Sequence, residues 1–178
     1  IYLAMFAFSA MSNAQQAKPI YLDDSKPIEE RVENALSKMT LDEKIAMIHA
    51  QSKFSSPGVP RLGIPEFWTT DGPHGVRPEV KWDEWDQEGW TNDSIIAYPA
   101  LTALSATWNR NMSKIYGVSL GEEARYRRKD ILLGPGVNIY RTPLNGRNFE
   151  YMGEDPFLTS QMVVPYIKGL QSNGVAAC

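Results

Sequence analysis

The stretch "DILLGPGVNIYRTPLNGRNFEYMGEDP", residues 130–156, decides how this chain folds. Its first half is apolar and reads as a buried strand that ends at Gly134-Pro135-Gly136. A long polar loop follows, from Tyr140 to Pro156. Thr159 then reads as the cap of a helix carrying Met162, Val163, Tyr166, Ile167 and Leu170, with Gly174 as its stop. Pro165 inside that helix predicts a kink or a local break, because proline has no N–H to give and its ring crowds the preceding turn. "VAAC", residues 175–178, begins another strand.

The same order recurs upstream. "EFWTT", residues 66–70, is a short strand candidate that runs into the motif "TTDGPHGVR", residues 69–77. "EVKWDEWDQEGWTN", residues 79–92, is charged and aromatic without a clean period, and reads as an excursion over the surface. "AYPALTALSATW" is mixed and apolar, and a helix follows from about Asn109 to about Arg128 with Met112, Ile115, Tyr116 and Leu120 on its buried side. Nearer the start, Ile28, Val32, Leu36 and Met39 share one helical face behind Pro27. Thr40 and Glu43 form a T-x-x-E capping box for a second helix carrying Leu41, Ile45 and Ile48. "SSPGVPRLGIP" is a loop. Helices alternating with strands argue for an α/β fold with parallel strands. The polar motifs follow the strands, where both (β/α)8 barrels and doubly wound sheets place their sites, so the pattern alone does not choose between the two.

Composition narrows the partners. The chain has 178 residues, 43% hydrophobic, with a net charge of -3 and no basic run, so nucleic acid is not expected. Cys178 is the single cysteine, which excludes an internal disulfide. His49 and His74 are the only histidines, and neither a metal site nor a cofactor is expected. No complete transmembrane span is present in the sequence. The opening "IYLAMFAFSAMSNAQQA" reads as the tail of a signal peptide with a small-x-small site at Ser12-Asn13-Ala14, the other reading being a buried first strand or helix. No cysteine follows the apolar run, so a lipoprotein anchor is not supported. The expected organisation is therefore a signal remnant at 1–14, an N-terminal extension at 15–27, and a folded domain at 28–178 of a longer exported protein, periplasmic or extracellular.

Three side chains stand out for chemistry. Asp71 lies where a strand ends and a Gly-Pro turn begins; it can accept two hydroxyls of a vicinal diol, or cap its own backbone in an Asx-turn. Arg147 can hold adjacent oxygens bidentately, or pair with Glu150, Glu154 or Asp155. Arg77 can bind a ligand or only position Asp71. Glu122 and Glu123 are neighbours on a helix and face different ways, so they are no carboxylate pair. His74 has no triad partner and reads as a packing or hydrogen-bonding residue. Trp82, Trp85 and Trp90 suit either a stacking wall at a pocket mouth or a cover over apolar surface.

The strings "TTDGPHGVR", "GVSLGEEAR", "LLGPGVNIYRTPLNGRNFEYMGEDP" and "YIKGLQSNGVAAC", taken together and in this order, resemble family 3 glycoside hydrolases, the β-glucosidase and β-xylosidase group. The resemblance runs from about Ile28 to Cys178. It implies that 28–178 is the N-terminal part, roughly half, of a (β/α)8 TIM-like barrel, followed in the whole protein by a second α/β domain. It implies exo-acting, retaining hydrolysis of a terminal β-linked sugar from an oligosaccharide or β-glycoside. Asp71 then matches the substrate-holding aspartate of D-G-P-x-G, Arg147 the arginine of G-R-N-x-E, and Arg77 the arginine of G-V-R. The family's Lys-His pair is expected directly after Cys178, and its nucleophile and acid/base further on, so the fragment itself is expected to be inert. The rival expectations are a non-catalytic glycan-binding module and a barrel enzyme of another class.

Overall fold

The structure, a computed structural model, describes residues 18–82, 84–89 and 94–178. The chain divides into two compact units after Leu41. The described part of the first is a 3-10 turn at Ile20–Leu22 and helix α1 (Ile28–Lys38), which starts behind Pro27 as the sequence suggests. The turn is tied to α1 by the Tyr21 amide, which donates to Asn34 Oδ1 at 3.3 Å, and by Arg31 Nε, which donates to the Tyr21 carbonyl.

The second unit carries the site. Helix α2 (Leu41–Met47) starts right after Thr40 and leads to strands β1 (Ser55–Ser56) and β2 (Phe67–Asp71). Helices α3 (Leu101–Ser105) and α4 (Arg110–Tyr126) follow, then strands β3 (Ile131–Leu133), β4 (Gly136–Ile139) and β5 (Tyr151–Gly153), helix α5 (Pro156–Gln171) and strand β6 (Ala176–Ala177). One sheet has the order β1-β2-β3-β6. β2 and β3 are parallel, with Thr70 opposite Leu132 and Asp71 opposite Leu133, and β3 and β6 are parallel, with Leu132 opposite Ala177. β1 runs antiparallel to β2. This is an α/β domain with an open sheet; it does not close on itself among the described residues. β3 ends at Gly134-Pro135 as expected, and the residues beyond form an additional strand, β4, which pairs with β5 in a second, two-stranded sheet.

The core lies between this sheet and helices α3 to α5. Val76, Leu101, Leu120, Leu132, Met162, Tyr166 and Leu170 are fully buried in one cluster. α4 is capped by Asn109, whose side chain accepts from the amides of Asn111 and Met112 at 3.0 and 3.1 Å. Its buried face is Ser113, Tyr116, Gly117, Leu120, Gly121 and Ala124. Met112 and Ile115, expected inside, are 45% and 50% exposed. The reason is backbone proximity. A Cβ on Gly117 would stand 2.1 Å from the Tyr166 carbonyl oxygen, and one on Gly169 would stand 2.4 Å from that of Lys114. The small residues of α4 and α5 meet directly, and the larger apolar residues are turned aside. α5 starts three residues before Thr159: Asp155 caps it, accepting from the Phe157 amide at 2.8 Å, and Pro156 fills the first turn. It runs through Pro165 without the expected break.

Candidate functional site

The "TTDGPHGVR" segment is a tight loop at the C-terminal end of β2. Gly72 has φ +125 and Gly75 φ +150, conformations that side-chain-bearing residues rarely adopt, and a Cβ on Gly72 would collide with the Gly75 carbonyl. The loop is pinned from below. The Pro73 carbonyl accepts from the Tyr166 hydroxyl at 3.3 Å and lies 3.2 Å from that of Tyr116, which also donates to the Pro99 carbonyl at 2.7 Å. The rings of Tyr98, Tyr116 and Tyr166 stack with centroids 5.1 and 5.5 Å apart. Burial pushes the Tyr116 and Tyr166 hydroxyls well above the usual phenol range, so they remain donors. His74 is a structural residue, as its lack of a triad partner suggests. Its Nε2 accepts from the Leu101 amide at 3.2 Å, which puts the ring proton on Nδ1, and burial lowers its pKa against the opposing pull of Glu150.

A cavity of about 510 Å³ opens over the C-terminal ends of β2, β3 and β6. Asp71, Leu133 and Cys178 line its floor, Gly136 to Asn138 one wall, and Arg147, Glu150 and Tyr151 the other. β4 and β5 fold the long loop back so that Arg147 returns to the cavity. Gly136 is needed there, since a Cβ would stand 2.5 Å from the Glu150 carbonyl oxygen. Tyr140 and Thr102 secure this arm through hydrogen bonds to the Tyr151 carbonyl at 2.8 and 2.9 Å.

Asp71 and Arg147 thus share one cavity, and Arg77 stands behind Asp71. Arg77 Nη1 lies 3.5 Å from Asp71 Oδ2, and its amide donates to the Asp71 carbonyl at 3.1 Å. The Asx-turn reading fails for a chemical reason: the residue two places on is Pro73, which has no N–H to donate. Among the described residues the Asp71 side chain is bonded to Arg77, which leaves Oδ1 open.

Of its two sequence readings, Arg147 shows the pairing with Glu150. Nε and Nη2 donate to the two oxygens of Glu150 at 2.6 and 2.8 Å. This bidentate pair uses one edge of the guanidinium, and Nη1 has no partner among the described residues. The pair holds the Glu150 carboxyl below the usual carboxylate range and raises the Arg147 pKa further, with Asp71 adding a smaller pull in the same direction. Glu150 is the residue that sequence reasoning undervalued. Its i,i+3 spacing from Arg147 was visible, but not its place in the cavity wall.

Glu123 and two of the tryptophans singled out in the sequence are placed away from this cavity. Glu123 pairs with Arg127 at 3.2 Å and accepts from the Ile96 amide at 3.3 Å. Trp82 lines a separate cavity of about 80 Å³ with Trp68 and Glu79. Trp85 stacks over Arg77, its ring centroid 5.0 Å from Cζ. Trp90 lies outside the described residues. Among the described residues no group of three or more His, Cys, Asp or Glu is placed to hold a metal ion, and no helix is long and apolar enough to cross a membrane.

The cavity at the C-terminal ends of the parallel strands thus has a carboxylate on its floor and a half-engaged guanidinium on its wall. Comparison with known proteins assigns the class: residues 31–178 match the N-terminal domain of glycosyl hydrolase family 3, and the chain belongs to that family. More particularly, it is 64% identical over 169 residues to beta-glucosidase BoGH3A of Bacteroides ovatus, covering 95% of this chain and 23% of that protein. It is 42% identical over 150 residues to thermostable beta-glucosidase B of Acetivibrio thermocellus, covering 83% of this chain and 19% of that one. The solved structure of beta-glucosidase 3B from Thermotoga neapolitana with alpha-D-glucose superposes with a TM-score of 0.71 at 36% identity, over 83% of this chain and 22% of that one. The chain therefore spans about a quarter or less of the length of these relatives.

Proposed function

We propose that this chain is the sugar-gripping part of an exo-acting, retaining β-glycoside hydrolase, β-glucosidase-like, that releases terminal non-reducing β-D-sugars from oligosaccharides or glycosides. The observation that carries this reading is the shared cavity of Asp71 and Arg147 over the ends of β2, β3 and β6. In fold terms, these three parallel strands are early strands of a (β/α)8 barrel, whose active sites lie at that end. The open Oδ1 of Asp71 accepts sugar hydroxyls, Nη1 of Arg147 donates to them, and Arg77 supports Asp71. Charge-assisted bonds of this kind are the strong ones in carbohydrate recognition.

Retaining hydrolysis needs a nucleophile and a proton donor about 5–5.5 Å apart. Glu150 is held ionised by Arg147 and makes a poor proton donor, while Asp71 is committed to Arg77 and the sugar. We assign both reacting carboxyl groups to the remainder of the glycosidase, of which this chain is about a quarter by comparison with its relatives. Export to the periplasm or beyond is part of the same proposal, supported by the apolar opening at residues 1–17.

The test is the first-formed product of the full-length protein on nitrophenyl β-glucoside and β-xyloside, followed by proton NMR. Net retention on at least one substrate is expected, with no turnover by residues 1–178 alone. Inversion, or turnover by the fragment, overturns the assignment of roles. Binding of sugar without turnover by the full-length protein identifies a glycan-binding module instead.

A further inference from the structure

The segment from Glu79 to Glu88 is not used by the site described so far. Its ends pair as a hairpin: the Glu88 amide donates to the Glu79 carbonyl at 2.8 Å, the Lys81 amide to that of Asp86 at 2.9 Å, and Val80 bridges Gln87. Its root is anchored where β3 begins, because the Glu79 side chain forms a buried ion pair with Lys129. This anchored arm carries Trp85, which is 64% exposed. A side chain left so open is not there to bury area. What Trp85 does contact is charge: Arg77 Cζ at 5.0 Å from its ring centroid and Lys53 Nζ at 5.2 Å. Phe54 completes the arrangement, edge-on to Trp85 at 6.2 Å and itself 5.6 Å from Arg77 Cζ.

Arginine is a long side chain with considerable rotamer entropy to lose, and its bond to Asp71, at 3.5 Å, is too long to hold it alone. Stacking on an aromatic face supplies the missing constraint. We propose that Trp85, with Phe54, is a positioning residue: the two rings clamp the Arg77 guanidinium so that Nη1 faces Asp71, and Asp71 is thereby kept aimed into the sugar cavity. This rests on the sugar-gripping reading above. Trp85 touches no sugar in this scheme and acts through Arg77.

A double-mutant cycle in the full-length glycosidase tests it, with Trp85→Leu, Trp85→Phe, Arg77→Met and the Trp85→Leu/Arg77→Met double variant. Trp85→Leu should lower kcat/KM on the nitrophenyl glycoside that the wild type turns over by about 2–5-fold, the worth of one exposed cation–π contact. Trp85→Phe should restore most of it, and Trp85→Leu should have no further effect in the Arg77→Met background. Additive losses, or an unchanged kcat/KM in Trp85→Leu, overturn the proposal. Absence of wild-type turnover on both glycosides is failure of the glycosidase reading, and the Arg77 Nε–H resonance then carries the test. Asp71→Asn should shift that resonance in the wild-type background and no longer do so once Trp85 is Leu. An equal shift in both backgrounds overturns the clamp.

Discussion

Asp71 and Arg147 are each engaged by a neighbour through only part of the side chain. Each gives part of its hydrogen-bonding capacity to a neighbour and keeps part for the cavity: Asp71 keeps Oδ1, and Arg147 keeps Nη1. Replacing Asp71 by Ala in the full-length glycosidase should lower kcat/KM on aryl β-glycosides by about 10²-fold or more, since two charge-assisted bonds of about 1.5–3 kcal/mol each are lost. Stability should barely change, because the side chain is 55% exposed. Steady-state kinetics beside a melting curve separate the two, and near-normal kinetics would remove Asp71 from the site. Much of this was legible in the sequence. The positions of Asp71, Arg77 and Arg147 were legible, but their residue types left a ligand role and a local role open at each, and the Asx-turn stood as an alternative although Pro73 offers no N–H for it. What spacing could not show was that Arg147 pairs with Glu150 along one edge only, which depends on how the β4–β5 arm turns.

At the scale of elements, the α4–α5 contact decides whether the floor of the cavity is firm. Gly117→Ala sets two effects against each other. Alanine favours a helix over glycine by about 1 kcal/mol. A Cβ placed 2.1 Å from the Tyr166 carbonyl oxygen forces the two helices apart, and overpacking of this kind costs about 1–3 kcal/mol or more. The clash is with backbone rather than a movable side chain, so a net loss in denaturant stability is expected. Gly146→Ala, at a position with no neighbour within 4 Å, should leave stability unchanged. An unaffected Gly117→Ala protein would mean that the helices are not in close contact. This contact also explains why the buried face of α4 was read correctly at Tyr116 and Leu120 but not at Met112 and Ile115. Apolar periodicity points to Met112 and Ile115, but the packing uses glycine and serine, which carry no hydrophobic signal. The cap of α5 was placed four residues late because both Asp155 and Thr159 are capping types, and the Asp-Pro pair outranks the later threonine.

For the molecule as a whole, acid sensitivity should trace to His74. Burial lowers its pKa below the ordinary 6.5, and its Nε2 is already occupied as an acceptor from the Leu101 amide. Near pH 6 the unfolded chain therefore binds more protons than the folded one, so stability is full above about pH 6.5 and falls as the pH drops through that value. Glu150, with its pKa lowered from 4.5 by Arg147, contributes in a separate window further down. Denaturant midpoints measured between pH 7.5 and 5 should decline, and the decline should be smaller in His74→Asn; equal slopes would exonerate His74. The alternation of strands and helices revealed the parallel order of β2, β3 and β6, but it could not distinguish a barrel from a doubly wound sheet. That choice depends on curvature and closure, which local patterns do not encode.

The tyrosine-held Pro73 carbonyl has an evolutionary corollary. Because the loop bearing Asp71 is fastened to α5 and to the core beneath it, drift there is checked by folding. The arm from Val137 to Arg147 is held along β4 and β5, by Tyr140 and Thr102, and by the Arg147–Glu150 and Asn148–Thr142 bonds, and among the described residues no hydrogen bond ties 141–146 to the helical core. Divergence among descendants of this domain therefore has its freer outlet in that arm, so changes should accumulate at the wall of the cavity while the floor is inherited unchanged.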